Sequence, residues 1–251
     1  LLKDYNSLNT EQLKDFNSRL YHAGNCRVFV SGWADDKTML QIEEQIGQLP
    51  VIKATKPIKV SEAVSNKERL HYIEKKDAVQ SALRIGKPLA NKTDPDYPEL
   101  QILNTILGGY FGSRLMANIR EDKGYTYGIG SAVSSFRHTG FFTIVSEVGS
   151  NVTKDALKEI YKELDLLKTK LVPVAELDRV RSYLLGEFIR MFDGPFNQGE
   201  SLRSAVDFGM DYSFYKSYLE KLKGITPQRI KALANQYLLK EDMFEIVAGK
   251  M

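Results

Sequence analysis

Cysteine occurs once in this chain, at Cys26, and histidine three times, at His22, His71 and His138. A single cysteine closes no intrachain disulfide, so cysteine usage leaves the redox compartment open. Cys26 begins the apolar run CRVFVSG and reads as a small buried hydrophobe rather than a nucleophile. The histidines form none of HxxH, HxxxH, HxxEH or HExxH. His71 and Glu74 make HxxE on a strand-like run, where a period of two sends them to opposite faces. His22 at a helix end and His138 at a hairpin tip read as surface residues. No metal is expected on these residues.

Long apolar runs are missing too. No stretch reaches the roughly 18 residues of a membrane-crossing helix. No signal-peptide pattern is visible, and the first residue is Leu rather than Met, so a mature or excised form is expected and the compartment is not readable. Charge of one sign is also scarce: the net charge is +3 and the pI about 8.7, which does not demand nucleic acid. The most basic interval, residues 50–76, lacks the interleaved aromatics of a single-strand stacking platform. It reads as a solvated loop and an edge strand guarded by lysines. GxSxG, GxGxxG and GxxxxGK[ST] are all absent.

The 251 residues are 43% hydrophobic and 27% charged, ordinary for a globular chain. Asn9 or Thr10 can cap a first helix carrying Leu13, Phe16, Leu20 and Tyr21. CRVFVSG reads as a short buried strand, and Asp35 or Asp36 caps a helix through Ile46. RLHYIEK and VQSALRIGKP are strand-like. PELQILNTILGGYF is a strongly apolar helix, FGSRLMANIRE a second short one. YTYGIGSAVSSF and TGFFTIVSEV form a hairpin about Arg137-His138. Four helical stretches follow, the first capped by Asn151. Thr226-Pro227 starts a last helix, and DMFEIVAGK ends the chain as a strand returning beside an early one. The order predicts an α+β fold: a mostly antiparallel sheet of about six strands with helices on one face.

The stretch LGGYFGSRLMANIREDKGYTYGIGS, residues 107–131, concentrates the chemistry. Gly108 and Gly109 let the chain break one helix and approach something closely. Ser113 can cap the next helix, and Lys123-Gly124 is a C-cap signal. Tyr125, Tyr127, Ile129 and Ser131 then share one strand face by spacing. Arg120 and Tyr127 lie seven apart across a helix-turn-strand corner, where a guanidinium and a phenol can hold a peptide carbonyl or stabilise an oxyanion. The plainer alternative is an ion pair from Arg120 to Glu121 or Asp122 beside a half-buried tyrosine.

This stretch resembles the segment gGg.sSRLf..iRE..glaYs of the inverzincins, the insulinase–pitrilysin metallopeptidases that include mitochondrial processing peptidase. FRHTGFF and the PVAELDRVRSYLLGEF helix match more weakly. HxxEH is missing, so the chain is similar to the metal-free second domain of that family. The resemblance implies residues 1–24 as the end of an interdomain helical linker and residues 25–251 as one inactive-type domain. It implies Arg120 and Tyr127 as substrate contacts, Tyr127 as oxyanion donor, and Gly108, Gly109 and Gly112 as a lip touching substrate. It further implies no zinc bound by this chain but zinc on a partner, either an N-terminal zinc domain or a homologous subunit in a homo- or heterodimer. Peptide is the implied substrate. The alternative is a non-catalytic scaffold subunit of the same fold, as in the core subunits of a respiratory complex.

Overall fold

The computed structural model describes residues 2–52 and 66–250. The chain divides into two units, Leu1–Glu62 with Phe192–Arg203, and Ala63–Met191 with Ser204–Met251.

The first unit carries α1 (Leu2–Asn6), α2 (Thr10–Leu20) and α3 (Asp36–Gln45). The Asn9 side chain accepts from the Gln12 amide at 2.9 Å while the Gln12 side chain accepts from the Asn9 amide at 3.0 Å, a reciprocal capping box. Asp35 caps α3 through the Thr38 amide at 2.8 Å. The Thr38 hydroxyl and amide bonds also hold the Asp35 carboxyl below its ordinary pKa. The run Cys26–Gly32 is not the expected strand: it forms no ladder among the described residues, Val28 and Val30 are exposed, and so is Cys26. Alternation of valines supplies one apolar face, but a strand also needs a neighbour for its amides, and this unit contains no other strand among its described residues. His22, expected at the surface, is buried. The amide after it, at Ala23, donates to the Pro50 carbonyl at 3.1 Å and ties the turn to the end of the segment after α3.

The second unit is built on β1 (Leu70–Glu74), β2 (Gln80–Leu89), β3 (Thr126–Phe136), β4 (Thr139–Gly149) and β5 (Phe244–Gly249). The sheet order is β1-β5-β2-β4-β3. Only β1 and β5 run parallel; the other pairs are antiparallel. Among the described residues five strands stand where about six were expected, the difference being Cys26–Gly32. β5 does return between two early strands, and β1 is an edge strand. Residues 53–65 of the basic interval lie outside the described residues.

Helices α4 (Tyr97–Asn104), α5 (Thr153–Thr169), α6 (Val174–Met191), α8 (Ser213–Gly224) and α9 (Pro227–Tyr237) belong to this unit, and α7 (Gly194–Val206) begins in the first. In β4 every second residue from Gly140 to Val148 is buried, the period-two signature of a sheet covered on one face. Phe142, Ile144 and Val148 join Leu83 and Ile85 of β2 and Val247 of β5 in the core. Ile102 and Leu103 of α4, Ile160, Leu164 and Leu167 of α5, and Ile230 and Leu233 of α9 complete it. Each such side chain contributes about 1.5–3 kcal/mol by leaving water. α5 starts at Thr153 with no side-chain cap, so Asn151 does not play that part. Thr226 does cap α9, accepting from the Arg229 amide at 3.2 Å.

The β3 edge is covered by α4. Gln101 Nε2 donates to the Val133 carbonyl at 3.0 Å, and Asn104 Nδ2 to the Ser131 carbonyl at 3.2 Å.

Candidate functional site

α4 does not end cleanly at Asn104. It widens into a π-helical segment, Thr105–Gly109, and a second π-helical segment, Met116–Asp122, follows the loop. The sequence pattern predicts plain helices here. π-helical turns are rare and recur at functional sites, because they swing side chains out of the ordinary helical register. Gly108 is buried, and a Cβ on it would lie 2.6 Å from the Ser131 nitrogen. Its lack of a side chain brings the first π-helical segment against the backbone of β3. Gly109 and Gly112 are exposed.

The loop between the segments is fixed at one residue and open at the next. The Tyr110 ring packs 5.0 Å from that of Tyr183 on α6. Phe111 is 65% exposed, and the Arg120 guanidinium carbon lies 4.9 Å from its ring centroid. Arg120 is half-buried, and its guanidinium makes no ion pair or hydrogen bond among the described residues. The alternative of a pair with Glu121 or Asp122 is therefore not realised. A positive charge at this depth keeps its donors available for an oxygen ligand.

The second π-helical segment and the turn leading into it are clamped from behind. Arg114 Nε and Nη2 donate to Glu176 Oε1 and Oε2, both at 2.8 Å. Asn118 Nδ2 donates to Glu159 at 3.0 Å and to Glu163 at 2.7 Å. The Glu159 carboxyl is held below its ordinary pKa by Lys162 and then by Asn118. Ser113, expected to cap, instead has its Oγ buried without a hydrogen-bond partner among the described residues. Gly124 adopts φ 65° and donates to the Arg120 carbonyl at 3.2 Å, and the Tyr125 amide donates to Ile119 at 3.0 Å. That is the expected glycine C-cap.

β3 begins with an irregularity. Thr126 pairs with Val148 and Ile129 with Ser146, so three steps along β3 match two along β4: a β-bulge. The Thr126 hydroxyl bridges the bulge, donating to the Glu147 carbonyl at 2.6 Å and accepting from the Gly128 amide at 3.0 Å. Ser146 Oγ lies 3.0 Å from the Gly128 carbonyl and donates to it. Ile129 and Ser131 are buried, whereas Tyr127 is 92% exposed. The shared face expected for the three is thus broken by the bulge. The Tyr127 hydroxyl makes no hydrogen bond among the described residues.

Phe111, Thr126 and Ser146 were not singled out by sequence reasoning. Phe111 falls where the family pattern specifies no residue, so nothing in the sequence marked it. Among the described residues no three His, Cys, Asp or Glu side chains gather as a metal ion requires, so these residues do not fit zinc. Among the described residues no helix is long and apolar enough to cross a membrane.

Residues 7–184 match the family model described as Peptidase M16 inactive domain. The chain is 24% identical over 238 residues to "Uncharacterized zinc protease YmxG" of Bacillus subtilis, covering 94% of this chain and 56% of that protein. It is 23% identical over 159 residues to "Probable inactive metalloprotease YmfF" of the same organism, covering 63% of this chain and 37% of that protein. Among solved structures, a peptidase M16 inactive domain from Pseudomonas fluorescens superposes with a TM-score of 0.85 at 25% identity, over 98% of this chain and 58% of that one. A protease from Helicobacter pylori superposes with a TM-score of 0.85 at 17% identity, over 99% of this chain and 61% of that one, and supports the fold alone. The chain spans about half the length of the curated relatives it matches first. It belongs to the M16 peptidase inactive-domain family.

Proposed function

We propose that this chain is the metal-free, substrate-holding half of a two-part zinc peptidase and cuts no peptide alone. The observation that carries the reading is the half-buried Arg120 guanidinium with no ion-pair partner among the described residues, on the same helix-turn-strand corner as the outward Tyr127 phenol. Arg120 grips a peptide carbonyl oxygen. Tyr127 donates to the oxygen on which negative charge builds as the peptide bond is attacked. Gly109 and Gly112 form the exposed lip of the site, while Gly108 serves the packing that sets its depth. Zinc, held by a partner domain or subunit, would supply an activated water.

The test uses this chain together with its zinc-bearing partner domain. Tyr127→Phe is expected to lower kcat on a quenched peptide by roughly 100–1,000-fold, the loss of one oxyanion donor, with zinc content unchanged. Undiminished turnover would remove Tyr127 from the chemistry.

The scaffold reading is favoured by one comparison, the relative named a probable inactive metalloprotease. It predicts no peptide turnover by any pairing of this chain with a zinc-bearing partner, alongside stable assembly.

A further inference from the structure

We infer that Thr126 and Ser146 are positioning residues: their hydroxyls lock the bulge that turns Tyr127 outward. This rests on the proposed role of Tyr127 for its functional meaning, but not for its structural content.

The argument is one of parity. Along β3, Ile129, Ser131 and Val133 pair with Ser146, Ile144 and Phe142, and all lie on the helix-covered side. A regular strand continued backwards from Ile129 would put Tyr127 on that same covered side, because side chains alternate strictly. The extra residue between Thr126 and Ile129 resets the alternation. Thr126 then faces Val148, and Tyr127 is free of the core.

A bulge leaves backbone groups out of the ladder, and those groups need partners. Here two hydroxyls supply them. Thr126 Oγ1 takes the Gly128 amide and gives its own proton to the Glu147 carbonyl. Ser146 Oγ, itself buried, satisfies the Gly128 carbonyl at 3.0 Å and lies 3.1 Å from Thr126 Oγ1. Without the hydroxyls, the Gly128 amide and carbonyl regain partners most readily by closing the ladder. Since the downstream part of β3 is held by Gln101 and Asn104, the slip falls on the upstream part and carries Tyr127 inward. Gly128 has open space around its Cα, so nothing steric holds the bulge in place of the hydroxyls.

The experiment compares the intact chain with Thr126→Val, Thr126→Ser and Ser146→Ala. Tetranitromethane nitration of Tyr127 is followed by mass spectrometry, with half-exposed Tyr212 as internal reference. Thr126→Val is expected to slow Tyr127 nitration roughly fivefold or more relative to Tyr212, as a register slip hides the ring. Thr126→Ser is expected to restore the rate. Ser146→Ala, judged separately, is expected to act in the direction of Thr126→Val. Unchanged nitration in both hydroxyl-deleting variants, or equal loss in Thr126→Ser and Thr126→Val, would overturn the inference. With the zinc-bearing partner, Thr126→Val should lower kcat with little change in KM. If Tyr127→Phe retained full turnover, the reading of Tyr127 would fail while the nitration result still judged the bulge.

Discussion

The guanidinium of Arg120 lies over the ring of Phe111, 4.9 Å from its centroid, and makes no ion pair among the described residues. An aromatic face attracts a cation without neutralising it, so the donors stay directed at an incoming ligand. Phe111→Ala removes a contact of about 0.5–1 kcal/mol at such an exposure. A two- to fivefold loss in affinity for a non-cleavable peptide is expected, with little change in stability. Titration calorimetry or fluorescence anisotropy reads it; affinity unchanged from the intact chain in both Phe111→Ala and Arg120→Ala would separate the pair from binding.

Gly108→Ala tests the approach of the first π-helical segment to β3. The new methyl carbon would stand 2.6 Å from the Ser131 nitrogen and 3.0 Å from Leu115 Cδ1. Backbone must move, and a cost of about 1–3 kcal/mol is expected from overpacking. Denaturant unfolding measures it, with Gly128→Ala, where the added carbon meets open space, as the mild control.

Breaking the Arg114–Glu176 pair strands a charge. Both side chains are under one-fifth exposed and the contact is bidentate. Glu176→Ala is expected to cost about 3 kcal/mol, most of it from the unpaired guanidinium. The double change Arg114→Met with Glu176→Leu should recover much of that loss, which a double-mutant cycle would show.

Alkaline pH should destabilise the second unit through two partly buried tyrosines. Burial pushes the Tyr218 hydroxyl up to about 12, with Tyr97 adding to it. Burial and then the bond to Asp96 push Tyr237 up to about 12 as well. The unfolded chain releases these protons near pH 10 while the folded chain keeps them. Their contribution is whole below pH 10 and is lost as pH rises to about 12. Tyr218→Phe should remove about 2 kcal/mol of that decline, seen as a flatter slope of unfolding free energy between pH 10 and 12.

Local signals carried much of the fold. The capping box at Asn9, the hairpin at Arg137-His138, the Thr226 cap and the left-handed Gly124 each depend on residues within a turn of one another, so composition and spacing expose them. What spacing could not reach were features decided across the sheet. Tyr127 shares the parity of Ile129 in the sequence, and only the ladder with β4 reveals the extra residue between them. The valines of Cys26–Gly32 alternate as in a strand, yet pairing depends on a partner that alternation does not specify. Arg120 and Tyr127 stood out because of their spacing; Phe111, a bulky residue in a glycine-rich loop, had no periodic role to mark it.

The two carboxamides that α4 lays along β3 have a bearing on how copies of this chain meet one another. With Ser131 and Val133 already accepting from Asn104 and Gln101, two neighbouring carbonyls of that margin are withdrawn from an approaching strand, which disfavours fibril growth by stacking strand on strand there. Gln101→Leu with Asn104→Leu would uncover both carbonyls, and faster thioflavin-positive aggregation on mild heating is the outcome to look for.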